Sequence, residues 1–427
     1  MPEPERAGQS PAAKLPLRFL LLFALAWAGG SIAYIPFLTI LLPVKVAALT
    51  ASGTAAGTAA GTVAAAGARA GAGGDVVWLS TIAFCGAIAA SLGHIGFGYL
   101  SDVTGNRRGW SALGLLISCG LLLVVHTATT LPGIVALVVV WQFGLNMMLG
   151  PLSAWAADCV PNSQKGLLGG LLAFAPGLGA LAGAFVTIPG LASPDGRLVL
   201  VALFEAGAVL PVLLIGAPRG TSAPGSPAVA LDYAAPHDAP LDRKGAARRM
   251  WLARLLVQVA EAALFSFLYL WFRSIDPAIG DHLTARIFSV VLVLSAPVAL
   301  LTGRWGDRRG RPLTPLIVCT LVAPIGLVGM ALAKTLPVAV AAYAVFGFST
   351  SIFLALHSAQ TLRTLHDPSR RGRDLGLFNL TNTMPSLVMP WFTLALVPYF
   401  GFTGLFLLFA VLALLAALLL AAFSREI

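Results

Sequence analysis

Gly98-Tyr99-Leu100-Ser101-Asp102-Val103-Thr104-Gly105-Asn106-Arg107-Arg108 has an echo in the same chain, Gly303-Arg304-Trp305-Gly306-Asp307-Arg308-Arg309-Gly310-Arg311. Gly, Asp and Gly keep the same internal spacing in both, and the aspartates at 102 and 307 stand 205 residues apart. A second pair keeps nearly the same step. Pro161-Asn162-Ser163-Gln164-Lys165-Gly166 is followed by Pro368-Ser369-Arg370-Arg371-Gly372, 207 apart at proline and 206 at glycine. Two repeats at one offset in a chain of 427 residues divide it into two equivalent halves.

The composition says what each half is made of. Hydrophobic residues are 58% of the chain and charged ones only 10%, with mean hydropathy +0.88, whereas soluble domains are about a quarter charged. Such a chain is solvated by a bilayer. A hydrocarbon core of roughly 30 Å needs about 20 apolar residues per helix, and twelve runs of that kind are present. Six lie in the first half, at 17–42, 76–100, 111–127, 131–157, 167–188 and 197–216. Six lie in the second, at 250–272, 282–302, 313–333, 336–356, 375–397 and 402–423. Prolines 36, 176, 297, 385 and 390 fall inside runs, where they kink a membrane helix without ending it.

The predicted organisation is a tail at 1–16, a six-helix bundle at 17–216, a linker at 217–249, a second bundle at 250–423 and a tail at 424–427. The first bundle contains an Ala/Gly/Thr-rich segment at 47–74, too weakly hydrophobic and too rich in glycine for a span, which is expected to form a loop outside the membrane. The linker is rich in Pro, Gly, Ala and charge. The amino terminus is too polar for a secretory signal, so no cleavage is expected.

Charge placement orients the chain. With both ends cytoplasmic, 20 of the 27 Lys and Arg fall on inside segments and six outside, with Arg254 within a span. That asymmetry is a positive-inside pattern, and it accounts for the net charge of +10 without nucleic acid, since the bases sit in short loops between spans. A bacterial inner membrane with cytoplasmic termini is the expected location. Cys85, Cys119, Cys159 and Cys319 lack metal spacing and an oxidising-side pair, so neither a disulfide nor a metal site is expected. No Walker-type loop, metal-ligand cluster or soluble catalytic domain is present, so no catalytic residue and no cofactor is expected.

The motif Gly-x-x-x-Asp-x-x-Gly-x-Arg-Arg at 98–108, with its Gly-x-x-x-Asp-x-x-Gly core repeated at 303–310, resembles the signature loop of the major facilitator superfamily. The resemblance covers about residues 17 to 423. It implies an all-α membrane protein of twelve transmembrane helices in two pseudo-symmetric six-helix bundles. The first, fourth, seventh and tenth helices would line a central cavity, and alternating access would move a small-molecule solute across the lipid bilayer. Leu100-Ser101-Asp102-Val103-Thr104 with Arg107, Arg108 and Trp110, together with Asp158-Cys159-Val160-Pro161 and Gln164-Lys165-Gly166, is similar to the glycoside, pentoside and hexuronide cation symporters and their sucrose-transporter relatives. Ala175-Pro176-Gly177-Leu178-Gly179 resembles the Gly-Pro-x-x-Gly core of proton antiporters, with Ala175 in place of the glycine and Leu171 where an earlier glycine belongs. A symporter of a sugar or glycoside is the favoured expectation. A drug or metabolite efflux antiporter and a non-transporting sensor on the same scaffold are the alternatives.

Ionisable residues at bilayer depth are functional candidates by default. Glu261 lies about 11 residues, or roughly 16 Å, into the seventh span, and Arg254, Gln258, Glu261 and Phe265 share one face at 100° per residue. A proton or a cation bound at Glu261 is the expected coupling ion; the alternative is a carboxylate satisfied by Gln258 or a neighbouring helix. Glu205 on the sixth span is the second carboxylate. Trp141, Gln142 and Asn146 on the fourth span, Tyr34 on the first, and Tyr343 and His357 on the tenth offer aromatic and hydrogen-bonding groups for a solute. Packing is the competing role for each aromatic. His94 and His126, near helix ends, are expected to be structural.

The motif loops are expected to gate. The resemblance places Asp102 against the start of the eleventh helix, around 374–376, with Arg107 and Arg108 holding that carboxylate and the facing loop together. Gly98 and Gly105 complete this loop. Gly303, Asp307, Gly310 and Arg311 would form the counterpart near Gly166. The charge asymmetry predicts that Gly61→Cys is labelled by an impermeant thiol reagent from outside only and Ser226→Cys from inside only. The reverse pattern removes the twelve-span topology.

Overall fold

A computed structural model describes residues 15–51, 74–172, 174–216, 243–311, 313–364 and 371–424. All regular structure among them is helical. Ten helices are long and apolar enough to cross a membrane. The last of them, within Arg371–Ser424, is divided at Gly401, whose φ of 60° and ψ of −164° turn the chain between two spans. A left-handed φ of this kind is readily adopted only by glycine. One more crossing is made by Asn162–Leu172 and Ala175–Val186, with residue 173 between them outside the described residues, which completes twelve.

The first span runs through Leu17–Pro36, a π-helical turn at Phe37–Leu41 and a further helix Leu42–Ala51. Pro36 has no N–H to give to the preceding turn, and a widened π turn follows it. There the Thr39 hydroxyl donates to the Ile35 carbonyl at 2.5 Å. The helix continues to Ala51, so residues 47–51 are helical where a loop was expected. Their weak hydropathy hides a helix that has already been nucleated by the span before it. The remainder of that segment, and the linker up to residue 242, lie outside the described residues.

Spans two to four are Gly74–Thr104, Arg107–Val124 and Leu131–Cys159, and span six is Pro194–Ile215. Span seven, Arg243–Ile275, starts inside the expected linker. Hydropathy marks only the part of a helix that sits in hydrocarbon, and the charged turn at 243–249 stands beyond it. Spans eight to ten are Asp281–Arg308, Thr314–Leu332 and Leu336–Thr364. Within each half, span four packs on two and three, and ten packs on nine. The halves meet where two faces eleven and five faces eight.

Large apolar side chains cover the outside, as in Leu116 at 70% exposure and Ile325 at 66%. That surface suits lipid, and the driving force for helix association is then close packing of small residues. Gly114 on span three lies against span four so closely that an added Cβ would meet the Met148 nitrogen at 2.3 Å. The second half repeats the device: a Cβ on Gly326 of span nine would meet the Phe346 nitrogen of span ten at 2.6 Å. Gly326→Ala should lower the apparent melting temperature of the purified protein, with overpacking costing about 1–3 kcal/mol. Gly120→Ala, where nothing lies within 4 Å, should leave it unchanged or raise it.

Candidate functional site

A cavity of about 350 Å³ lies between the halves, within the usual range for small-molecule sites. Tyr34 from the first span, Gln142 and Asn146 from the fourth, and Gln258 and Glu261 from the seventh line it. Much of the remaining wall is apolar, including Leu38, Leu79, Ile82, Leu145 and Phe265. Span seven presents its polar face as one stripe. Arg254 Nε donates to Gln258 Oε1 at 3.1 Å, while Arg254 Nη2 and Gln258 Nε2 both donate to Asn382 Oδ1 at 3.1 Å. Asn146 Nδ2 donates to the Gln142 carbonyl at 2.9 Å.

Glu261 also borders a second, much smaller space of about 20 Å³, together with Tyr343, Phe265, Phe288 and Phe346. This recess is where span ten reaches the site. The main cavity takes its other walls from spans two and eleven, through residues such as Ala87, Asn382, Pro385 and Ser386, which differs from the lining by spans one, four, seven and ten that the resemblance implied. Asn382 is not among the residues expected from the sequence; it stands in a polar stretch with Asn379, Thr381 and Thr383.

Other candidates stand apart from the cavity. Trp141 is fully buried behind it, edge-on to Phe37 with centroids 4.9 Å apart. His357 is buried with its Nε2 2.9 Å from the Met250 carbonyl, next to the Phe353 ring. Glu205 is fully buried where span six meets span three, with Cys119 Sγ 3.6 Å from Oε2 and with Oε1 lacking a hydrogen-bond partner among the described residues. Among the described residues no group of His, Cys, Asp and Glu is arranged to hold a metal.

Among the described residues the motif loop is built within one half. Gly105 and Gly310 have φ of 63° and 65°, so the second glycine of each repeat makes a turn that disfavours a side chain. Asn106 caps span three, accepting from the Gly109 N–H at 2.8 Å. Arg107 pairs with Asp102 and with Asp158, the latter at 3.1 Å, and donates to Ser101 Oγ at 2.7 Å. Arg108 donates to the Leu214 carbonyl at 3.2 Å. Arg107 thus holds the Asp102 carboxylate and, with Arg108, ties the ends of spans two, three, four and six together, while the side chains of the facing segment at 374–376 lie outside the described residues. Gly98 has open space at its Cβ position. In the second repeat a Cβ at Gly303 would meet Leu356 at 2.9 Å and Arg311 is exposed, while the Asp307 side chain lies outside the described residues.

The family model of the Major Facilitator Superfamily matches residues 72–353 and 250–426. The chain belongs to that superfamily. No curated protein matches its sequence. Among solved structures it is similar to the human organic anion transporter MFSD10 (TETRAN), at 17% identity and TM-score 0.68, over 95% of this chain and 100% of that one. A bacterial homologue of the human lysosomal transporter Spinster, inward-facing and unoccupied, shares 14% identity at TM-score 0.67, over 96% of this chain and 97% of that one. The nucleoside transporter NupG shares 14% at TM-score 0.63, over 95% and 99%. At these identities the likeness shows the fold. As a member of the superfamily the chain is a multi-pass membrane protein and a secondary transporter.

Among the described residues, polar contacts between the two superfamily halves lie toward the face opposite the motif loops. Arg197, in the first turn of span six, forms an ion pair with Asp281 at the start of span eight, and their side chains are only 16% and 19% exposed. Nearby, Ser289 of span eight donates to the Ala180 carbonyl of span five at 2.5 Å. The outer part of the first span also packs against span seven. An exposed pair is worth roughly 0–1 kcal/mol, but removing one member of a partly buried pair leaves the other charge uncompensated, which costs more. Asp281→Asn should increase labelling of Leu42→Cys by a polar thiol reagent; an unchanged rate removes the clasp.

Proposed function

We propose that this transporter moves a small organic solute across a bacterial inner membrane by alternating access, with both termini cytoplasmic and with Glu261 binding the coupling proton or cation. The observation that carries the reading is the position of Glu261, a carboxylate within a membrane-spanning helix that borders the cavity between the two halves. An ionisable group in that place is costly to keep in hydrocarbon and marks an ion or substrate path. Gln142, Asn146, Gln258 and Asn382 supply hydrogen bonds around it. The closed clasp at Arg197 and Asp281, with the motif loops taken as cytoplasmic from their arginines, corresponds to an inward-facing state.

The largely apolar wall suits a solute with an apolar body better than the hydroxyl-rich glycoside implied by the resemblance to sugar symporters, because each hydroxyl placed against leucine loses its hydrogen bonds. That favours the efflux antiporter as the second reading. The antiporter-like segment of span five supports it, since a Cβ on Gly179 would meet the Ser31 carbonyl of span one at 2.4 Å. The segment thus sets how closely a cavity helix approaches.

The test uses the full chain in sealed vesicles with an imposed proton gradient and a panel of labelled glucoside, nucleoside, carboxylate and amine. Glu261→Gln should abolish gradient-driven accumulation of the transported solute while sparing exchange at equal concentrations. Undiminished accumulation makes Glu261 structural and moves the coupling role to Glu205. Binding without movement of any solute favours the sensor.

A further inference from the structure

The recess beside Glu261 has a size and lining of its own. Its volume of about 20 Å³ admits one water-sized group, for which about 10–15 Å³ suffices. Four aromatic side chains border it: Phe265 from span seven, Phe288 from span eight, and Tyr343 and Phe346 from span ten. The last three are each below 5% exposed, and the rings of Phe265 and Phe288 meet edge to face at 5.2 Å. Aromatic faces carry negative potential and attract cations, and the carboxylate of Glu261 adds a formal charge at the mouth. Glu261 and Phe265 also line the main cavity, with its mostly apolar wall.

We propose that the recess is the head-group site for a primary ammonium whose apolar body lies in the main cavity, so that the transported solute is an amphipathic organic amine. This rests on the carrier reading above and adds the class of cargo to it. The fit is specific in size. An ammonium is as small as water and donates to Glu261, whereas a trimethylammonium is several times too large. It is also specific in sign. Arg254, the nearest charged group on the same helix, stands seven residues or about 10 Å away along the axis, bonded to Gln258 and Asn382. The positive charge of the site therefore sits at the end away from the aromatic recess.

The experiment is calorimetric titration of the purified full chain with 2-phenylethylammonium, its N-trimethyl derivative, 2-phenylethanol and 3-phenylpropionate. The expected result is binding of 2-phenylethylammonium at least about tenfold tighter than the other three, with Glu261→Gln removing the preference. Phe288→Leu, which keeps the carboxylate, should weaken the ammonium alone by roughly three- to tenfold. Melting curves of both variants establish that they are folded. Equal binding of the alcohol or the trimethyl compound, tighter binding of the carboxylate, a preference that survives Glu261→Gln, or binding of none of the four overturns the assignment. In each of those cases a gradient-driven uptake that Glu261→Gln abolishes still upholds the carrier. Conversely, ammonium binding that needs Glu261 together with uptake indifferent to it upholds the head-group site and removes the coupling role.

Discussion

Hydrocarbon offers no partner to a backbone N–H or C=O, so every peptide group in the membrane must be bonded within the chain. The rest of this structure depends on that constraint. It makes every crossing a helix, and it restricts irregular backbone to places where the protein itself supplies a substitute. The π turn after Pro36 is such a place, with the Thr39 hydroxyl on the Ile35 carbonyl. That departure from regular helix falls in a span that packs against spans five and seven.

The same solvent removes the usual reason for helices to associate, since lipid tails are as apolar as leucine. Cohesion then comes from contact distance and from scarce polar links, and the molecule distributes them unevenly. Within each half, glycine on one helix lets the backbone of the next approach to van der Waals contact, as at Gly114 and Gly326. Between halves, an ion pair and a hydroxyl–carbonyl bond stand toward one face. Rigid bundles joined by a few separable contacts are what a rocking carrier requires.

Much of the fold is legible in the sequence because the bilayer imposes a length of about 20 apolar residues on each span, and because the repeat at Asp102 and Asp307 divides the spans into two sets. What it leaves out follows from the same physics. Hydropathy measures only what lies in hydrocarbon, so the helical turns at 47–51 and 243–249 escape it. The distant partners of Arg107 and Arg108 escape it too, although the pairing of Arg107 with Asp102 is legible. Asp158 and Leu214 are 51 and 106 residues away, and nothing local points to them. At the site, consecutive residues on a helix diverge by 100°, so Gln142 borders the cavity while Trp141 turns into packing against Phe37. Periodicity identifies a face but gives no direction for it; only the neighbours do. Asn382 and the aromatic recess draw on spans seven, eight, ten and eleven, a convergence that no single stretch of sequence contains.

The turn at Gly401 has a mechanical meaning. Spans eleven and twelve are joined by a single left-handed residue, with no slack between them. Asn382, which takes hydrogen bonds from both Arg254 and Gln258, sits on the first of these spans, and the second exposes Val411 and Leu418 on its surface. A tilt of the eleventh span that moves Asn382 must drag the twelfth through the surrounding lipid. The polar wall of the cavity is thereby yoked to the thickness and lateral pressure of the membrane around it.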